Sequence, residues 1–195
     1  MVAGHFGFAA IVKSREREAP LWVLMLACQW LDVIFVPLFV MGIERITPVA
    51  LPSSTSTYGN IIIYADYTHS LVGALLLSLV FGLVSALIWG KRPGVILGAV
   101  VFSHWVLDLI VHRSDMAILP GNAGHLPRLG FGLWREPVAS IAVELALVLL
   151  GTWLYWRAAV EVTRSEGRGT TLAHAAGGLM LFAGLVTLTL NVLGF

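Results

Sequence analysis

The segment Gly94-Val95-Ile96-Leu97-Gly98-Ala99-Val100-Val101-Phe102-Ser103-His104-Trp105-Val106-Leu107-Asp108-Leu109-Ile110-Val111-His112 is apolar over nearly its whole length, yet it carries two imidazoles and a carboxylate. From Gly94 to Val111 a helix rising about 1.5 Å per residue is long enough to cross the hydrocarbon of a bilayer. Four-residue spacing advances a helix by one turn plus about 40°, so His104, Asp108 and His112 form a stripe on one face. Ionisable groups are costly in hydrocarbon and face a bundle interior or a wet cavity, where they pair, relay protons or bind metal.

The rest of the chain agrees with a membrane reading. Apolar residues make up 58% of 195 positions and only 12% are charged, well below the roughly 25% of a soluble domain. The mean hydropathy is +0.87. Five apolar runs read as spans, at about 21–43, 70–89, 94–111, 137–156 and 172–193, and the expected fold is an all-α polytopic bundle forming a single membrane domain over 1–195. Residues 1–13 are too short to span and read as an inserted or interfacial half-helix. Their apolar residues precede the charges, the reverse of a secretory signal, and no cleavage site is evident.

Lys91-Arg92-Pro93 reads as a tight turn that folds the second and third spans into an antiparallel hairpin. Two longer connections remain. One runs from Glu44 to His69 and includes the polar stretch Ser53-Ser54-Thr55-Ser56-Thr57; the other, 113–136, is rich in Gly and Pro and reads as an outer loop or lid.

A formal net charge of +1, without a dense Lys/Arg cluster, argues against a nucleic-acid partner. Cys28 is the one cysteine, so an intrachain disulfide and a thiolate metal cluster are excluded. Any metal site must use His, Asp and Glu. With the amino terminus cytoplasmic, the inner segments hold Lys13, Arg15, Arg17, Lys91, Arg92, Arg157, Arg164 and Arg168, against Arg45, Arg113, Arg128 and Arg135 outside. This asymmetry favours N-in and puts both long connections outside.

Depth along the helices then brings the polar residues together. Asp32 falls roughly 16 Å and His104 roughly 15 Å above the inner edge of their spans, with Glu144 at roughly 18 Å and Asp108 and His112 above them. A half-helix rising from Lys13 would place His5 beside Asp32, and His69 starts its span at the outer rim. Imidazole and carboxylate are the ligands that a zinc, manganese or iron site without thiolates requires. One such ion, or a pair, would also compensate several buried acidic charges.

The order His5, Asp32, Asp66-Tyr67-Thr68-His69-Ser70 and Ser103-His104-Trp105-Val106-Leu107-Asp108 resembles a bacterial family of membrane-bound metal-dependent hydrolases, with their early His, Thr-His-Ser element and Ser-His followed by Leu-Asp. The ligand order is more distantly similar to that of zinc-dependent phospholipases C and related zinc nucleases. The likeness runs from the start of the chain to just past Glu144. It departs from the phospholipases in the short Asp108–His112 spacing and in Ser140, where a His would precede Glu144 by four positions.

The resemblance implies an inner-membrane enzyme that hydrolyses a phosphoester or related ester, of a lipid or lipid-linked molecule, with metal-activated water. His5, Asp32, His69, His104 and Asp108 would hold the ion. His112 and Glu144 would complete a second ion or support the first, and Asp32 or Glu144 would take the proton from the attacking water. Arg113, Arg128 and Arg135 would hold an anionic head group. Two other readings stay open: a proton- or ion-coupled transporter using the same His, Asp and Glu residues, and a haem-binding electron-transfer subunit with two axial histidines.

Overall fold

The computed structural model describes residues 1–48 and 61–193; the Ser53–Thr57 stretch lies outside them. Seven helices are described: α1 (Val2–Lys13), α2 (Leu21–Cys28), α3 (Trp30–Val40), α4 (Leu71–Trp89), α5 (Lys91–Val111), α6 (Pro137–Ser165) and α7 (Thr171–Leu193). The fold is an all-α bundle. Helices α4 to α7 are each long and apolar enough to cross a membrane, and α2 with α3, taken together as one bent segment, meets the same criteria of length and composition. Large apolar side chains such as Leu76, Leu79, Leu83 and Leu87 on α4 and Leu179 and Phe182 on α7 are exposed, as lipid-facing residues are.

The span expected at 21–43 is broken. Helices α2 and α3 meet at Gln29 with a bend of 50°. Breaking the ladder leaves carbonyls of the last α2 turn without a helical partner, and the Cys28 carbonyl accepts instead from His104 Nδ1 at 2.7 Å. Gln29 Nε2 donates to the Val2 carbonyl at 3.1 Å, tying the bend to α1. The two other differences are of length. Helix α5 begins at Lys91 because Pro93 is tolerated in a first turn. Helix α6 runs on to Ser165, beyond the apolar run that ends at Trp156.

Gly90, at φ +94°, turns α4 into α5. Gly94 lies against Ala86 and Gly98 against Gly82, the register of an antiparallel hairpin. Helix α1 packs into the bundle along α6 through small residues: a Cβ on Gly7 would stand 2.5 Å from the Leu147 carbonyl oxygen, and one on Gly151 would overlap Gly7 O. Where α1, α2, α4 and α5 meet, Ala9, Leu24, Ala27, Leu31, Ala74, Leu97 and Val101 form the main apolar core.

Both long connections are structured where they are described. Residues flanking the 49–60 segment pair as antiparallel strands, β1 (Arg45–Pro48) and β2 (Ile61–Tyr64), with Arg45 opposite Tyr64 and Pro48 opposite Ile61. The β-branched run Ile61-Ile62-Ile63 suits a strand, a signal the reading of this stretch as a plain connection passed over. The 113–136 connection folds over the end of the bundle. The carbonyls of Ala117 and Ile118 accept from the N–H groups of Leu71 and Val72, the otherwise unpaired donors of the first α4 turn, and Met116 pairs with Leu129.

Candidate metal centre

Four elements bring donors to one place. Helix α5 contributes His104, Asp108 and, at its C-cap, His112; the turn before α4 contributes His69; the first turn of α3 contributes Asp32; and α1 contributes His5. All are buried except Asp32, whose side chain is 39% exposed.

Asp108 sits at the middle, and its two oxygens face different neighbours. Oδ2 is 3.1 Å from His104 Nε2, 3.7 Å from His69 Nε2 and 3.8 Å from His112 Nε2, while Oδ1 is 3.0 Å from His5 Nε2. Asp32 Oδ1 lies 3.4 Å from His69 Nε2 and 3.6 Å from His104 Nε2. Two sets of donor atoms gather within 4.8 Å of one another, His5 with His104 and Asp108, and Asp32 with His69 and His104. The buried His and Asp groups can therefore hold a metal ion.

The other ring nitrogen of three histidines faces an acceptor. A carbonyl oxygen only accepts, so the Nδ1 of His104, on Cys28 O, carries a proton. His112 Nδ1 is 3.0 Å from Asp115 Oδ1, whose partner oxygen accepts from Ile63 N at 3.0 Å. His69 Nδ1 is 2.8 Å from Thr68 Oγ1, which in turn bonds the Glu44 carboxylate. A ring whose Nδ1 carries the proton turns a bare Nε2 inward, the tautomer that a metal-ligating histidine needs.

Bare nitrogens then face each other at 3.2 Å, the separation of His69 Nε2 and His104 Nε2. Lone pairs at that range repel unless a proton or a cation lies between them. Around a tetrahedral ion with bonds of about 2.0–2.1 Å, donor atoms stand about 3.3 Å apart. His69 and His104 lie 3.2 Å apart, 3.4 and 3.6 Å from Asp32 and 3.7 and 3.1 Å from Asp108, around this value, so these donors fit a zinc-sized ion.

The remaining expected residues sit as follows. His5 was expected beside Asp32; its Nε2 faces Asp108, because α1 docks on α6 and α2 and so meets α5 at Asp108. Glu144 is fully buried at the α1–α6 contact, where its Oε1 accepts from Gly4 N at 3.3 Å. Arg128, expected to hold a head group, makes a two-pronged pair with Asp66, Nη1–Oδ1 at 2.6 Å and Nη2–Oδ2 at 2.9 Å, and also donates to the Asp115 carbonyl. Its hydrogen bonds to the Asp66 carboxylate raise the guanidinium pKa above its ordinary value. Arg113 is half-buried and Arg135 exposed.

Three residues not read as site residues support the donors: Glu44, Asp115 and Thr68, the last noted only as part of the Thr-His-Ser element. Asp115 stands three residues after His112, a spacing that could have marked it. Glu44 is 24 positions from Thr68, and no local pattern joins them. The Trp105 indole donates to the His69 carbonyl at 2.9 Å, and the Trp134 ring lies 4.3 Å from that of His112, so aromatic side chains wall the cluster.

Comparison with family models, with curated proteins and with solved structures returned no match.

Proposed function

We propose that this protein is a metal-dependent hydrolase of the bacterial inner membrane, with its amino terminus cytoplasmic, its site toward the outer face and a phosphoester or related ester as substrate. The observation that carries the reading is the convergence of three Nε2 atoms, each with its Nδ1 set against an oxygen, on one oxygen of Asp108. Imidazole nitrogen with carboxylate oxygen and no thiolate suits zinc, and also manganese or iron. A divalent ion held there supplies a water of lowered pKa and an electrophile for a phosphoryl or acyl centre.

The chain's own residues define what surrounds that chemistry. Asp32 is the partly exposed donor, so an attacking water approaches past it, and its carboxylate is placed to take the water's proton. Asp32 starts α3, whose later residues Val36, Phe39 and Val40 are exposed and apolar. A substrate reaching Asp32 along α3 meets hydrocarbon-like surface, which favours a lipid or lipid-linked ester.

The test is elemental analysis of detergent-purified protein joined to hydrolysis of a panel of lipid-linked and soluble phosphoesters. Stoichiometric zinc, with turnover abolished in Asp32→Asn, supports the enzyme. Absence of zinc, manganese and iron, with none taken up on reconstitution, overturns it and leaves a proton between His69 and His104, as a proton-coupled carrier would have.

A further inference from the structure

Glu44 lies in the connection just before β1, yet it is 1% exposed. A carboxylate removed from water must be met by donors. Its Oε1 accepts from Tyr67 N at 2.9 Å and Thr68 N at 2.8 Å. Thr68 Oγ1 stands 2.9 Å from Oε2 and 3.1 Å from Oε1. The two N–H bonds alone would make Glu44 an ordinary turn cap; the hydroxyl carries the contact further.

A threonine hydroxyl has one proton and two lone pairs. Given to Glu44, that proton leaves a lone pair of Oγ1 facing His69 Nδ1 at 2.8 Å, and the ring must supply the proton for that bond. The main chain around the ring is held as well, with His69 N donating to Ala65 O at 3.0 Å and His69 O accepting from Trp105. Proton order therefore runs one way, from His69 through Thr68 to Glu44.

We propose that Glu44, acting through the Thr68 hydroxyl, is a positioning residue that fixes His69 as its Nδ1–H tautomer and so keeps Nε2 open toward the ion. This rests on the metal-centre reading of the cluster. The polarity of the chain makes the role separable from simple packing. In Glu44→Gln the amide oxygen still accepts from the two backbone N–H groups, but its NH2 now donates to Thr68 Oγ1. The threonine proton, no longer claimed by a carboxylate, is released to turn toward His69 Nδ1, which favours the tautomer with the ring proton on Nε2, where it blocks ligation.

Two measurements decide it. The tautomer of His69 is read by 15N NMR on zinc-free protein labelled at histidine, and zinc affinity by competition with a chelator. Wild type and Thr68→Ser should show Nδ1–H and the same affinity. Glu44→Gln should flip to Nε2–H, and Thr68→Val, which keeps the Glu44 cap of the turn, should lose the fixed tautomer; both should bind zinc about 10–100-fold more weakly, the usual cost of losing a group that orients a ligand. An unchanged tautomer and affinity in Glu44→Gln and Thr68→Val overturn the proposal. Wild-type protein that takes up no zinc sinks the metal-centre reading by itself, while the tautomer on zinc-free protein still decides whether Glu44 orients His69.

Discussion

The ring of His5 lies flat on that of His104, with centroids 3.8 Å apart and planes 11° from parallel. Stacking and ligation are separable in this pair, because His5 Nε2 points at Asp108 Oδ1 while its buried Nδ1 has no hydrogen-bond partner among the described residues. Phenylalanine keeps the flat ring and removes both nitrogens. His5→Phe deletes the unsatisfied Nδ1 but also takes a partner from the buried Asp108 carboxylate, so zinc-free protein is expected to lose about 1–3 kcal/mol of stability. Zinc affinity should fall about tenfold or more, and Asp108→Asn, whose carboxylate faces His5, His69, His104 and His112, should lower it further. Chelator competition on the two variants checks the order; equal affinity in His5→Phe and wild type would remove His5 from the centre.

Helix α1 reaches the cluster only because it approaches α6 so closely. A Cβ on Gly151 would overlap the Gly7 carbonyl, so Gly151→Ala must push the two backbones apart. Overpacking of this kind costs about 1–3 kcal/mol, and the displaced α1 should carry His5 away from Asp108, so stability and zinc affinity are expected to fall together. Gly178→Ala is the control, since nothing lies within 4 Å of a Cβ there. Thermal melts in detergent with zinc titrations compare them.

The spans were legible because hydrocarbon imposes length and composition on a helix regardless of its partners. The His104–Asp108–His112 stripe was legible for the same reason, as periodicity places it on one face without tertiary information. Neither argument reaches across the chain. At the bend, the Cys28 carbonyl accepts from a His104 nitrogen 76 positions away, and Glu44 becomes significant only when the chain brings it to Thr68. Depth counting put His104 and Asp32 level, and they lie 3.6 Å apart. It gave no rotation for α1, which is why His5 was matched with Asp32 and not with Asp108.

Arg128 joins the two connections that cover the site, gripping Asp66 ahead of His69 and the carbonyl of Asp115 behind His112. Both side chains of the ion pair are about one-fifth exposed, at 21% and 22%, so water and salt screen it. Arg128→Ala is expected to cost about 1 kcal/mol or less in stability. It should also weaken zinc binding by loosening Asp115, which holds His112. Because the folded guanidinium pKa is raised, its share of stability is present below the unfolded value and is lost only when pH rises past the folded one. Melts of wild type against Arg128→Ala should therefore differ by a constant amount from neutral to moderately alkaline pH, and the difference should shrink as salt is added. A gap that closes with rising pH at fixed salt would show that Arg128 is not the group responsible.

Removing the ion should cost the fold as well as the chemistry. Without it, Nε2 lone pairs and the Asp32 and Asp108 carboxylates are met only in part in a largely buried space, whereas an ion would bind several of them together. Binding to the native state alone stabilises it by about 2.7 kcal/mol when free zinc is 100 times its dissociation constant. For a chain of this length that corresponds to about 5–10 °C in melting temperature. Chelator treatment of zinc-loaded protein is expected to lower the melt by that amount, and added zinc to restore it. Magnesium should not restore it, since that ion asks for six oxygen donors and the cluster offers mostly nitrogen. Asp108→Asn should melt at one temperature with or without chelator. A wild-type melt that ignores both chelator and zinc would mean that the clustered His and Asp side chains are held by protons and not by a cation.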